Sequence, residues 1–275
     1  MSVDPLAGFS LEGKVAIVTG ASAGLGARFA RVLDAAGARI VLAARRVERL
    51  EALALELHDA LPVACDLADD GAPAALVAAA VAHFGRVDVL VNNVGHFGGA
   101  RKAFHEQTDA EWDDLYRVNL GHVLTCTRSV LPVLIEQGNG GSIVNVSTIE
   151  AFRAIPTRAV YSAFKSAITG FTRSVAVEYG RYGIRVNAIA PDVTETLQVP
   201  YSRWVGADEQ HLIPSWVPLG RFGTAADTAG VALFLASELS SFVTGTTVHP
   251  DGGTLAASGW FPTEEGGWTN RPRRA

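Results

Sequence analysis

Tyr161 and Lys165 stand four residues apart, a spacing that puts both side chains on one face of a helix. A phenol ordinarily holds its proton to about pH 10. An ammonium beside it favours the phenolate and brings the group closer to acid/base work near neutrality. Two such residues are common on helix surfaces, so the pair gains weight only from its company. Upstream lie a hydroxyl pair, Ser147-Thr148, then Asn119, the segment Asn92-Asn93-Val94-Gly95 and a glycine-rich turn at Thr19–Gly26.

The glycine turn needs a strand before it and a helix after it to be credible. Val15–Thr19 reads as a buried strand and about Leu25–Ala36 as a helix, with Gly37 closing it. Gly20 permits the tight turn, Gly24 lets backbone approach a pyrophosphate at the helix N-terminus, and Gly26 allows close helix–sheet packing. Further apolar strands are expected at Arg39–Ala43, Pro62–Cys65, Val87–Val91, Ser142–Val146 and Arg185–Ile189, with a short last one at Thr246–His249. Helices are expected between them at Val47–His58, Ala72–Phe84, Ala159–Tyr179 and about Ala225–Leu235. Thr108-x-x-Glu111 reads as a capping box opening a long helix towards Ile135. Apolar strands alternating with helices predict an α/β fold: a Rossmann-like, doubly wound parallel sheet of about seven strands, helices on both faces. Residues 1–275 read as one dinucleotide-binding and catalytic domain, with an irregular, aromatic-rich substrate loop at about 197–218. The tail at about 259–275 holds Trp260, Phe261 and Trp268, enough apolar surface to expect part of it to dock.

Over about Leu11–Gly253 the chain resembles the short-chain dehydrogenase/reductase family. The resemblance rests on Thr19–Gly26, Asp66-Leu67, Asn92–Gly95, Asn119, Gly141–Ser147, Tyr161–Lys165, Arg185-Val186-Asn187 and Asp251-Gly252-Gly253, in the family's order. It implies a nicotinamide-dependent oxidoreductase in which Tyr161 is the general acid/base. Lys165 would hold the nicotinamide ribose, and Asn119 would bend the middle helix and hold a relay water. Gly20, Ser22, Ala23, Gly24, Leu25 and Gly26 would cradle the pyrophosphate. Asp66 would lie beside the adenine, with Leu67 its neighbour, and Asn92, Val94 and Gly95 match the segment after the fourth strand that supports the sheet and lines the cofactor. Pro191, Val193, Thr194 and Thr196 would close over its nicotinamide end. The family usually has Ser where the count back from Tyr161 falls on Thr148; Thr keeps the hydroxyl donor but narrows the pocket. It also usually has Pro-Gly where this chain has Pro191-Asp192, which sets a carboxylate near the nicotinamide side. A homotetramer built on the helices around Asn119 and Tyr161 is a further implication.

Cofactor preference has its own signal. Ala44 stands at the end of the second strand, where NAD-preferring relatives commonly carry an acid, and Arg45-Arg46 follow. A guanidinium can clamp a 2′-phosphate, so NADPH is expected, with Arg45 as the main contact. On the substrate side Glu150, Phe152 and Trp204 are expected at the pocket, which favours an apolar, ring-containing ketone or secondary alcohol. Two alternatives remain. An acyl-carrier ketoacyl reductase would need basic residues at the pocket mouth, for which Arg101, Lys102, Arg153 and Arg158 are candidates. A silent NADPH-binding regulator would have no use for the intact Asn119, Thr148, Tyr161 and Lys165.

The net charge is -5 and no basic stripe suggests nucleic acid. Cys65 and Cys126 lie in apolar stretches, as expected of free thiols in a reducing compartment. No signal-peptide pattern is visible at Met1–Pro5, no apolar run approaches about 20 residues, and no cluster has metal-ligand spacing. A cytoplasmic enzyme without membrane or metal is the expectation.

Overall fold

The computed structural model describes residues 7–99, 102–263 and 267–269. Its first half runs β1 (Val15–Thr19), α1 (Gly24–Ala35), β2 (Arg39–Ala44), α2 (Val47–Ala54), β3 (Ala60–Ala64), α3 (Ala72–Phe84) and β4 (Val89–Asn92). It continues α4 (Asp109–Tyr116), α5 (His122–Gln137), β5 (Gly141–Val146), α6 (Ala159–Tyr179) and β6 (Ile184–Ile189). The last part holds β7 (Thr194–Glu195), α7 (Tyr201–Trp204), α8 (Ile213–Trp216), β8 (Gly223–Thr224), α9 (Ala225–Ala236), β9 (Thr247–Val248), β10 (Phe261–Pro262) and β11 (Trp268–Thr269).

Seven strands form one parallel sheet in the order β3-β2-β1-β4-β5-β6-β9. Every residue of β1 and β4 is buried, as sheet covered on both faces requires. One face packs against α1, α2 and α9 around Phe29, Leu33, Leu50 and Leu235. The other packs against α3, α5 and α6 around Leu76, Leu134 and Val175. The chain switches direction of growth between β1 and β4, and ligands bind at such a switch point, beyond the strands' carboxyl ends.

Three expectations shift, each for a local reason. Helix α2 stops at Ala54 rather than His58, because the buried Asp34 carboxylate takes the His58 amide at 2.9 Å and its Nδ1 at 2.8 Å. That turns the chain into β3, which begins two residues early, in register with Ile40–Ala44 of β2. The long helix from the Thr108 cap divides at a π-helical turn, Arg117–Gly121. Inside that turn Asn119 Nδ2 donates to the Leu115 carbonyl at 3.0 Å and to the His96 carbonyl at 2.9 Å. The side chain thus claims a carbonyl of the preceding helical turn. Taken whole, Asp109–Gln137 reaches the length and apolarity of a membrane span, which the sequence reading did not expect. Nearly half of that window is buried in the fold. In the tail, β10 pairs antiparallel with β11 and packs against α8, while Trp260 and Phe261 stay partly exposed.

Candidate active site

The carboxyl ends of β1, β4, β5 and β6 open into one cleft of about 1250 Å3. Its first wall is the β1–α1 turn. Gly20 and Gly24 sit in the left-handed region, at φ 66 and 56. A Cβ on Gly26 would stand 2.2 Å from the Gly20 carbonyl oxygen, so only glycine lets α1 approach so closely. Asn93 fastens the turn, its Nδ2 donating to the Thr19 carbonyl and its backbone N–H to the Thr19 hydroxyl. No side chain caps α1. Its first amides and positive dipole end therefore meet the cleft, an arrangement that suits a pyrophosphate.

Along this wall Gly20, Ser22, Ala23, Gly24, Leu25, Asp66 and Leu67 line the cleft, as do Val94 and Gly95. Arg45, Arg46 and Arg49 stand beyond the end of β2. Arg45 pairs with Asp66 at 3.6 Å, both side chains well exposed. Arg46 Nη2 donates to Ser22 Oγ at 2.8 Å. Two expected contacts lie beneath the surface instead. Gly26 is packed under the turn, and Asn92 is buried in a side-chain ladder with Asn145 and Thr127. Asn92 buttresses the sheet rather than facing a ligand.

At the cleft floor Thr148, Tyr161 and Lys165 come together. The Thr148 hydroxyl stands beside the Tyr161 phenol, close enough to favour its ionised form. Ser147 turns the other way, its hydroxyl donating to the Lys165 carbonyl at 2.9 Å. Lys165 is buried; its Nζ donates to the Val146 carbonyl at 3.1 Å and sits 5.9 Å from the centre of the Tyr161 ring. Gly95 leaves room for it, since a Cβ there would lie 2.9 Å from Nζ and 3.0 Å from Asn119 Oδ1. Asn119 itself is buried behind Gly95 rather than lining the cleft.

Electrostatics at the floor correct one expectation. The Tyr161 phenol is pushed up to about 12, not down. Burial is the main cause; the neighbouring Thr148 hydroxyl opposes it and the Glu150 carboxylate adds to it. Burial also lowers Lys165 to about 8, which still leaves it protonated near neutrality. His122 is a neighbour the sequence reading missed. It is buried, its ring bonded to the Val94 carbonyl at 2.9 Å, and burial followed by the Lys165 charge holds it down near 3.

The opposite wall is the substrate side. Glu150 and Trp204 line it, with Leu197, Val199 and Tyr201. Phe152 does not. Its ring packs edge-on against His249, centroids 4.7 Å apart, facing away from the cleft. The lid is an aromatic cluster in which Tyr201 stacks on Phe222 and meets Trp204 and Trp216 edge-on. Pro191, Val193, Thr194 and Thr196 close the end between the walls. Val193 has φ 34, rare for a β-branched residue, so this segment holds a strained turn. Arg153 is not a base at the pocket mouth: it bridges Glu150 and Asp192. Lys102 pairs with Glu111, and Arg158 Nη1 donates to the Phe97 carbonyl at 2.8 Å. Arg101 lies outside the described residues.

A family model described as enoyl-(acyl carrier protein) reductase matches residues 20–254. The chain is 38% identical over 253 residues to 2-dehydro-3-deoxy-D-gluconate 5-dehydrogenase of Dickeya dadantii (strain 3937), covering 90% of this chain and 98% of that one. The chain belongs to the short-chain dehydrogenase/reductase family. Among solved short-chain dehydrogenase/reductase structures, levodione reductase superposes with a TM-score of 0.83 at 35% identity, over 90% of this chain and 99% of the other. A putative 2-deoxy-D-gluconate 3-dehydrogenase from Agrobacterium tumefaciens, solved with bound NADP, gives 0.79 at 35% identity, with the same coverage. This chain is an NAD(P)-dependent oxidoreductase. Its uncapped helix end and the left-handed glycines fit such a cofactor.

Proposed function

We propose that the protein is an NADPH-dependent carbonyl reductase, reversible to alcohol dehydrogenase, acting on an uncharged ketone that bears a ring. The observation that carries this reading is the convergence of Thr148, Tyr161 and buried Lys165 on the cleft floor, below an aromatic lid. When bound, the nicotinamide supplies or accepts hydride. Thr148 and Tyr161 donate to the substrate oxygen and orient it. Tyr161 gives up its proton as charge develops on that oxygen and takes it back in the reverse direction. The raised phenol suits a donor that must stay protonated until the transition state. Lys165 holds positive charge beneath the phenol and offers N–H groups to the cofactor ribose. Asn119 positions the segment around His96 and Gly95.

NADPH over NADH is supported by Ala44 where an acid would bind the ribose hydroxyls, and by Arg45, Arg46 and Arg49 lining that end. The Arg45–Asp66 pair is exposed and worth little, so Arg45 can turn to a phosphate. The pairing of Arg153 with Glu150 and Asp192, and of Lys102 with Glu111, weakens the carrier-protein alternative. The two free cysteines and the outward face of α6, where Val177 is exposed, fit a cytoplasmic homotetramer of one-domain subunits. NADPH oxidation across cyclic, aryl and steroidal ketones, with NADH in parallel, tests the reading. Turnover on cyclic ketones with NADPH is expected; cofactor binding with silence across the panel overturns it.

A further inference from the structure

On the substrate wall, outside the family's signature residues, the fold builds a braced carboxylate. Asp192 sits where the family usually has glycine, and its side chain is only 7% exposed. Its Oδ2 accepts from Arg153 Nη2 at 2.8 Å and from the Thr254 hydroxyl at 2.6 Å. The same Arg153 Nη2 reaches Glu150 Oε1 at 3.0 Å. Thr254 is in turn held by the turn that Asp251 organises, through bonds from the Gly253 and Leu255 amides. The Glu150 backbone is fixed as well, its carbonyl accepting from the Ser162 hydroxyl at 2.6 Å. Glu150 is thus held at its backbone by Ser162 and at its carboxylate by Arg153. Its side chain, 16% exposed, lines the cleft.

This placement has a cost that a purely apolar substrate cannot offset. Around Glu150 the cleft offers Ile155, Leu197, Val199, Tyr201 and Trp204. A ring filling that space would strip water from the carboxylate, and a buried charge without hydrogen bonds is strongly disfavoured. Arg153 occupies one oxygen well, its Nε standing 3.5 Å from the other. A carboxylate has about four acceptor sites, so capacity remains towards the cleft. The Tyr201 phenol brings a second polar group; burial raises it, and the Asp192 and Glu150 charges add to that.

We infer that Glu150, braced by Arg153 and Asp192, is a specificity residue that accepts a hydrogen bond from a hydroxyl on the substrate, so that the preferred ketone is a hydroxylated ring. Arg153 and Asp192 are positioning residues in this scheme. The inference rests on the carbonyl-reductase reading above and narrows its substrate.

The test compares cyclohexanone with the hydroxycyclohexanones, by NADPH oxidation, in the wild type, Glu150→Gln, Glu150→Met and Asp192→Asn. The quantity read is the ratio of kcat/KM for the best hydroxylated ketone to that for cyclohexanone. A damaged fold lowers both rates together and leaves the ratio alone. The wild type is expected to favour the hydroxylated ring, and both Glu150 variants to shrink the ratio about tenfold or more, as loss of a hydrogen bond to a charged group implies. Asp192→Asn, which loosens Arg153, is expected to shrink it about threefold, chiefly through KM. A wild-type ratio near one, or a ratio unmoved by both Glu150 variants, overturns the inference while leaving the reductase reading intact. Failure of every ketone to turn over overturns that reading, and this one with it.

Discussion

Around the β1–α1 turn the cleft is shaped by what side chains leave out. Gly20, Gly24 and Gly26 clear space, backbone amides face the ligand, and Asn93 clasps Thr19 across one strand pair. Across the cleft, at the ends of β5 and β6, the wall is shaped by what side chains put in. There a guanidinium joins two carboxylates, and an aromatic lid closes over them. The first wall suits a ligand that never changes, since backbone geometry resists substitution. The second consists of side chains whose exchange alters shape and charge without disturbing the sheet. One chain thus keeps a general cofactor cradle beside a substrate wall open to variation.

The sharpest way to break this contrast is at the floor both walls share. Tyr161→Phe is expected to lower kcat by about a thousandfold, within the range for loss of a general acid, while NADPH affinity measured by fluorescence stays within threefold. Near-normal turnover refutes the assigned donor. Next comes the backbone wall. Gly26→Ala drives a Cβ into the Gly20 carbonyl and is expected to cost about 2–3 kcal/mol, roughly 5–10 °C of melting temperature. An unchanged melting curve would mean that the turn is looser than its packing implies. Third is the arginine end of the same wall. Replacing Arg45 and Arg46 together by Ala is expected to reduce NADPH selectivity over NADH about ten- to a hundredfold, read from paired kcat/KM values. Equal loss with both cofactors would remove the 2′-phosphate assignment. On the side-chain wall Trp204→Ala is expected to raise KM for a ring ketone only about three- to fivefold, because the Trp is half exposed at the lid edge. A shift in cofactor KM instead would erase the division between the walls.

The smallest effect at neutral pH is that of His122, between the two walls. Its folded value near 3 lies below the ordinary 6.5, so the folded state binds fewer protons between those limits. Its neutral-state contribution is therefore complete above about pH 6.5 and is lost as pH falls towards 3. His122→Gln is expected to flatten that acid limb in denaturant titrations; an equally steep limb would assign it to carboxylates elsewhere.

The two walls also differed in how far the sequence disclosed them. Glycine spacing, the Tyr161–Lys165 pair and the strand–helix alternation are local patterns, and the fold and the cleft floor followed from them. The helix carrying Tyr161 was legible to its bounds, Ala159–Tyr179. The substrate wall was not. Arg153 finds Asp192 39 positions away, and Thr254 finds it 62 away; no spacing rule announces such partners. Phe152 was misassigned because an aromatic next to a functional loop says nothing of which way it turns. Tyr161 was misjudged because a neighbouring ammonium is visible in a sequence and the depth of burial is not. Asp192 did leave a trace, as a departure from glycine, but its partners had to be seen in space.

The bond between Thr254 and Asp192 also bears on the order in which the molecule can be made. A growing chain releases the glycine turn, β4 and the Tyr161 helix well before the last strand of the main sheet, β9, and the residues at 251–254 emerge later still. The brace behind Glu150 has no second anchor until then. A nascent or C-terminally clipped chain would hold a complete cofactor cradle facing an unfinished wall. Selectivity, on this geometry, is the last property that synthesis confers.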